Sequence, residues 1–220
     1  MGLPFTSDQF FGVFAEYNRS FWFVALALWF ASAAALAGAW RNPRQWSGAL
    51  TYLLATLWIW NAVAYHALLF TNINPAAWLF AGLFTIEGVL LFWAAARRRI
   101  EPVSLTGPIS GLGIALACYA LAYPFLSFGI GHRYPEIPTF GVPCPTTILT
   151  IGVLLVVRGG PPLSLAVIPA VWAFIGGSAA LLFAVWTDYM LLAAGASLAG
   201  YLVMCRTGPH SGSHRSKEMS

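Results

Sequence analysis

GHRYPEIPTFGVPCPTTILTIGVLLVV, residues 131–157, is the stretch on which the architecture of this chain turns. Its first part, Gly131–Thr147, is the longest polar interruption in an otherwise apolar sequence, and Pro135, Pro138, Pro143 and Pro145 all stand in it. Proline fixes φ, lacks a backbone N–H and restricts the residue before it, so this part reads as a stiff loop and not as helix. The apolar run that follows, Thr146–Val157, is twelve residues long. At 1.5 Å per residue a helix of that length covers about 18 Å, against roughly 30 Å for the hydrocarbon of a bilayer. Either it crosses a membrane as a short helix continued by the packed loop, or it enters and turns back.

Composition makes the membrane the frame for that choice. Of the 220 residues 59% are hydrophobic and 8% charged, where soluble domains carry about 25% charged residues. Apolar runs of span length recur along the chain, which is the signature of membrane helices. The expected fold is therefore all-α: a polytopic bundle with spans at 20–40, 47–69, 75–96, 107–130, 146–157, 163–186 and 189–204. Together they form one transmembrane domain over residues 1–205, with a polar, Gly/Ser-rich tail at 206–220 expected to be disordered. The net charge of +4 comes from basic residues scattered at span ends, so it reads as a topology signal and gives no case for nucleic acid. If 146–157 crosses, Arg41, Arg44, Arg97, Arg98, Arg99, Arg158, Arg206, Arg215 and Lys217 lie on one side and only Arg19 and Arg133 on the other. If it turns back, the split becomes five to six. The positive-inside rule selects the crossing: seven spans, amino end outside, carboxyl end in the cytoplasm.

Ahead of the first span, Thr6 or Ser7 can cap a helix with Asp8 in its first turn. Phe10, Phe14 and Tyr17 recur at helical spacing, which predicts an amino-terminal amphipathic helix, lying in the membrane interface or packed against the spans. Trp40, Trp46, Trp78, Trp93 and Trp186 fall near span ends as an interfacial belt. Gly176-Gly177-Ser178 and Ala196 with Gly200 offer small-residue faces for close helix packing.

Among Asn, Gln, His and the charged residues, three fall within spans: Asn61, His66 and Glu87. A carboxylate near mid-membrane must be paired, protonated or hydrogen-bonded inside the bundle, and Asn61 lies at a similar depth on the neighbouring span. Glu87 thus reads as a proton or cation relay or as an interhelical clamp. The loop adds His132, Arg133, Tyr134, Glu136 and Cys144. His66, His132 and Cys144 are the candidate ligands for a soft or borderline metal, without CxxC, HxxxH or HExxH spacing to support one. Cys144, between two prolines at the mouth of the fifth helix, reads as a thiolate stabilised by a helix amino end or as a small buried cysteine. No cofactor is indicated by motif: the only lysine is Lys217, so no retinal Schiff base can form in the membrane, and no Walker loop, dinucleotide fingerprint or GxSxG elbow is present.

LPFTSDQFFGVFAEYN (3–18), YHALLFTNINPAAWLFAGLFTIEG (65–88) and YPEIPTFGVPCPTTILTIGVLL (134–155) together resemble a family of bacterial multi-pass membrane proteins, the domain-of-unknown-function family six-zero-six-four. The resemblance covers nearly the whole chain and implies one compact domain in the bacterial cytoplasmic membrane; it implies no activity. Three functions follow for testing. The first is binding or transport of a small solute or ion through an outward-facing polar vestibule under the loop. The second is a membrane scaffold or assembly factor, and the third a thiol-dependent membrane enzyme or redox protein using Cys144. The partners expected are the lipid bilayer, a small solute or ion and further copies of the chain.

Overall fold

The computed structural model describes residues 4–97, 107–157, 159–183 and 185–207. Arg98, Arg99, Arg158, Arg215 and Lys217, and most of the tail from residue 208 on, lie outside the described residues. The chain folds as α1 (Ser7–Arg41), α2 (Pro43–Trp60) continued by a π-helical segment (Asn61–Ala67), a 3-10 turn (Phe70–Asn72), α3 (Ala77–Ala96), α4 (Pro108–Gly129), α5 (Pro143–Leu155), α6 (Leu163–Phe183), a second 3-10 turn (Trp186–Asp188) and α7 (Tyr189–Thr207). Among the described residues, six stretches are long and apolar enough to cross a membrane: Ser7–Arg41, Pro43–Asn72, Ala77–Ala96, Pro108–Gly129, Leu163–Leu182 and Trp186–Thr207. Apart from the start of α1, helix ends fall within a few residues of the spans expected from sequence, because Arg, Pro and Gly punctuate the apolar runs.

The short helix is the centre of the bundle. All thirteen residues of α5 are buried, and it packs against α4, α6, α7 and α2. At its start Cys144 faces Asp188, immediately before α7. Beyond its end, a Cβ on Gly160 would come within 2.8 Å of Cys205 Sγ, near the far end of α7. Cys144 and Gly160 therefore lie near opposite ends of α7. α4 approaches α5 through two glycines: a Cβ on Gly113 would lie 2.6 Å from Gly152 O, and one on Gly152 would lie 2.7 Å from Gly113 O. Gly177 similarly lets α6 meet Leu192 of α7, whereas Gly200 has open space beside it and is not a packing contact.

The amino-terminal segment and the first span are one helix, broken only at Phe21 (φ −127°, ψ 18°). Thr6 caps it: Gln9 N–H donates to Thr6 Oγ1 (3.2 Å) and Thr6 N–H to Gln9 Oε1 (2.8 Å). Phe10, Val13, Phe14, Tyr17 and Asn18 are buried. Phe14 meets Tyr65, and Phe10 meets Phe70. The segment is thus packed onto the bundle, the second of its two expected arrangements, and is not a free-lying interfacial helix. Trp40, Trp46, Trp78, Trp93 and Trp186 all point outward, while Trp58 and Trp172 are inside.

Candidate functional site

The proline loop is a closed cap, held by two residues of α1. Tyr17 and Asn18 lie at the carboxyl end of the packed half of that helix, just before the break at Phe21. Asn18 Nδ2 donates to Pro135 O (2.6 Å) and Ile137 O (2.8 Å), and its Oδ1 accepts from Thr139 Oγ1 (2.5 Å). Tyr17 donates from its hydroxyl to Phe140 O (3.3 Å) or Gly141 O (3.2 Å) and accepts from Trp60 Nε1 (2.8 Å). Gly141 has φ +83°, and a Cβ there would come within 2.5 Å of that hydroxyl, so both backbone conformation and space call for glycine. Ile137, Phe140 and Val142 are buried under these ties.

Most of the loop's polar side chains point away from the interior. Arg133, Tyr134 and Glu136 are exposed, Arg133 lying over the Phe128 ring and the Tyr134 hydroxyl reaching Asn18 O. His132 rests on the Phe11 ring, 5.2 Å between centroids. Cys144 is the exception, because Pro143 starts α5 and carries it inward. The helix begins three residues earlier than Thr146 and has no side-chain cap. Cys144 is buried and its thiol faces the Asp188 carboxyl, to which Tyr123 of α4 also donates from its hydroxyl. Thr187 completes the join, its carbonyl accepting from Tyr119 (2.9 Å) and its hydroxyl meeting Ser127 (3.3 Å). Cys144 is enclosed by protein, as the buried-cysteine reading expects.

Beside Cys144 and Asp188 lies a cavity of about 170 Å³. Rings form much of its wall (Phe5, Phe10, Phe14, Tyr65, Phe70, Phe80 and Trp172), while Cys144, Asp188, Asn74 and Ser178 supply polar atoms. The space beside the start of α5 is thus an aromatic chamber with one carboxylate, not the polar vestibule expected from the loop's composition. Trp172 is 7% exposed, and its Nε1 has no hydrogen-bond partner among the described residues.

His66 stands behind that wall, fully buried among Phe84 (4.6 Å), Trp172 (5.1 Å), Phe80 and Phe70. Neither ring nitrogen has a partner among the described residues. It sits in the π-helical segment, where Leu68 N–H bonds to Val63 O, five residues back. Such segments are rare and often mark functional sites. Glu87 is fully buried on α3, and both carboxyl oxygens lack a partner among the described residues. Asn61 does not pair with it: Nδ2 donates to Leu57 O (2.8 Å) and Thr146 Oγ1 (3.1 Å), toward α5. His66, His132 and Cys144 belong to separate surroundings, and among the described residues no group of three or more His, Cys, Asp or Glu side chains is placed to hold a metal ion.

Asp188, Tyr123, Trp172, Tyr17 and Asn18 are the residues that sequence reasoning left without a role. Asp188 carried one usable signal, as the lone acid in a very short connection between two apolar runs. Tyr123 and Trp172 carried none, since an aromatic residue in a span reads first as packing.

No curated protein and no solved structure matches the chain. A family model described as a family of unknown function, DUF6064, matches residues 7–211, from the first turn of α1 to beyond the end of α7. The cap, the central helix and all of the chamber's lining except Phe5 fall within that match, and the chain belongs to this family of unknown function.

Proposed function

We propose that this protein is a multi-pass protein of the bacterial cytoplasmic membrane that binds a small, largely apolar solute in the chamber beside the start of α5. The observation that carries the reading is the cavity itself. About 170 Å³ lies beside a buried carboxylate, whereas a larger cavity of about 290 Å³, lined by Gly113 of α4 and Gly152 of α5, has no charged side chain in its lining. A cavity of about 150 Å³ lined by apolar side chains accommodates benzene, so the occupant is of that size. Transport follows if the cap or α1 moves. The break at Phe21 divides α1 where its packed half meets its longer apolar half, a suitable hinge.

The binding test uses protein in lipid nanodiscs and 4-fluorobenzyl alcohol as a neutral probe, followed by fluorine NMR. Saturable binding is expected, and Ala179→Trp, which fills the chamber from α6, abolishes it. Equal binding by the variant, or none by the wild type, refutes the reading.

Seven crossings with the cap outside are part of the proposal, supported by the charge split and by the position of Cys144 and Gly160 near opposite ends of α7. Single cysteines at Arg44, Glu136 and Thr207 in a cysteine-free background, treated with an impermeant maleimide on intact cells, test it. Glu136→Cys is expected to react, and Arg44→Cys and Thr207→Cys only after permeabilisation. Thr207→Cys reacting together with Glu136→Cys would mean that α5 does not cross.

A further inference from the structure

We propose that the chamber is an amine site, taking a small primary amine whose ammonium sits on Asp188 and whose apolar body lies among the surrounding rings. This rests on the solute-binding reading above and names its ligand class. Asp188 is 2% exposed and lines the cavity. Tyr123 donates to it from its hydroxyl and the Cys144 thiol lies beside it, and with about four lone-pair sites the carboxylate retains capacity toward the chamber. No Lys, Arg or His is among the residues lining the cavity. The carboxylate's charge therefore has no cation opposite it there, and a buried charge without a partner is costly. A ligand ammonium supplies that partner.

The rings point the same way. Phe10, Phe14, Phe70 and Phe80 line the same space, and the negative faces of aromatic rings attract a cation, most strongly where water is excluded. A carboxylate ligand would meet Asp188 with like charge. The volume limits the ligand's body to about one ring.

The experiment compares 4-fluorobenzylamine, 4-fluorobenzyl alcohol and 4-fluorobenzoate on wild type, Asp188→Asn and Ala179→Trp in nanodiscs of neutral lipid. The wild type is expected to bind the amine about tenfold more tightly than the alcohol, the difference between a charge-assisted and a neutral hydrogen bond, and the benzoate least. Asp188→Asn should bring amine and alcohol to similar affinity, and Ala179→Trp should remove binding of all three. The wild-type ranking tests the assignment even if Asp188→Asn does not fold. Equal binding of amine and alcohol, or an amine preference that survives Asp188→Asn, overturns the amine assignment and leaves the solute-binding reading standing. Absence of saturable binding by every probe overturns both.

Discussion

Replacing Asn18 by alanine tests whether the proline loop is a cap locked from α1. The wild-type side chain is 1% exposed and makes three hydrogen bonds: to Pro135 O at 2.6 Å, to Ile137 O at 2.8 Å and from Thr139 Oγ1 at 2.5 Å. A hydrogen bond in a folded protein contributes about 1 kcal/mol net, and a buried acceptor left without its donor costs more. Asn18→Ala removes all three and strands the buried Ile137 carbonyl, so the cap should lose about 2–4 kcal/mol against its open form. With a tenfold change in equilibrium for every 1.4 kcal/mol, opening becomes about 30- to 700-fold more frequent. Trypsin reads this directly, because Arg133 lies in the loop and a protease needs an extended, released segment. Cleavage after Arg133 should accelerate in Asn18→Ala by up to that factor under conditions where opening is fast relative to cutting. Asn18→Asp, which keeps the acceptor for Thr139 but loses both donors, should be at least as susceptible. A change of less than about threefold in both variants would refute the lock, since even one lost hydrogen bond predicts more.

Three further substitutions probe the interior. Gly152→Ala puts a Cβ 2.7 Å from Gly113 O and 2.9 Å from Ala117 N; both are backbone atoms, so α4 and α5 must separate. Overpacking of this kind costs about 1–3 kcal/mol, to be read as a lower midpoint of unfolding in SDS-containing mixed micelles. Gly141→Ala forces a side chain into φ +83° and against the Tyr17 hydroxyl. It should cost at least about 1–2 kcal/mol and speed trypsin cleavage as Asn18→Ala does; an unchanged rate would show that Tyr17 does not depend on this approach. Glu87→Leu replaces a buried carboxyl whose oxygens lack partners among the described residues with an apolar side chain of similar volume. It should raise stability by about 1–3 kcal/mol, and a loss of stability would mean that the carboxyl is engaged in the native protein.

Much of the fold was legible because membrane helices are specified locally. Apolar runs ended by Arg41, Arg97 and Arg206, or by the prolines before α2, α4 and α6, define helices whatever their neighbours are. The arrangement of basic residues points to a crossing by α5, although twelve apolar residues look too few to span a bilayer. The aromatic spacing of residues 10–17 indicated a one-faced helix, yet an apolar face suits lipid and protein equally, and only its contacts with Tyr65 and Phe70 distinguish the two. The pairing of Asn61 with Glu87 was inferred from depth alone. Depth does not fix the direction in which a side chain leaves its helix, and Asn61 turns to Thr146.

By itself, then, the sequence determined an all-helical, membrane-type chain and the stiff loop from which its short central helix starts, since hydropathy and proline stereochemistry act over a few residues at a time. Tertiary structure alone decided what that loop does. Asn18 meets Pro135 and Ile137 across more than a hundred residues, and Tyr123, Cys144 and Asp188 converge from three separate elements. The π-helical segment that holds His66 likewise has no period of its own in the sequence. Hydrogen bonds of this kind depend on directions and distances set by packing, which residue spacing along the chain does not encode.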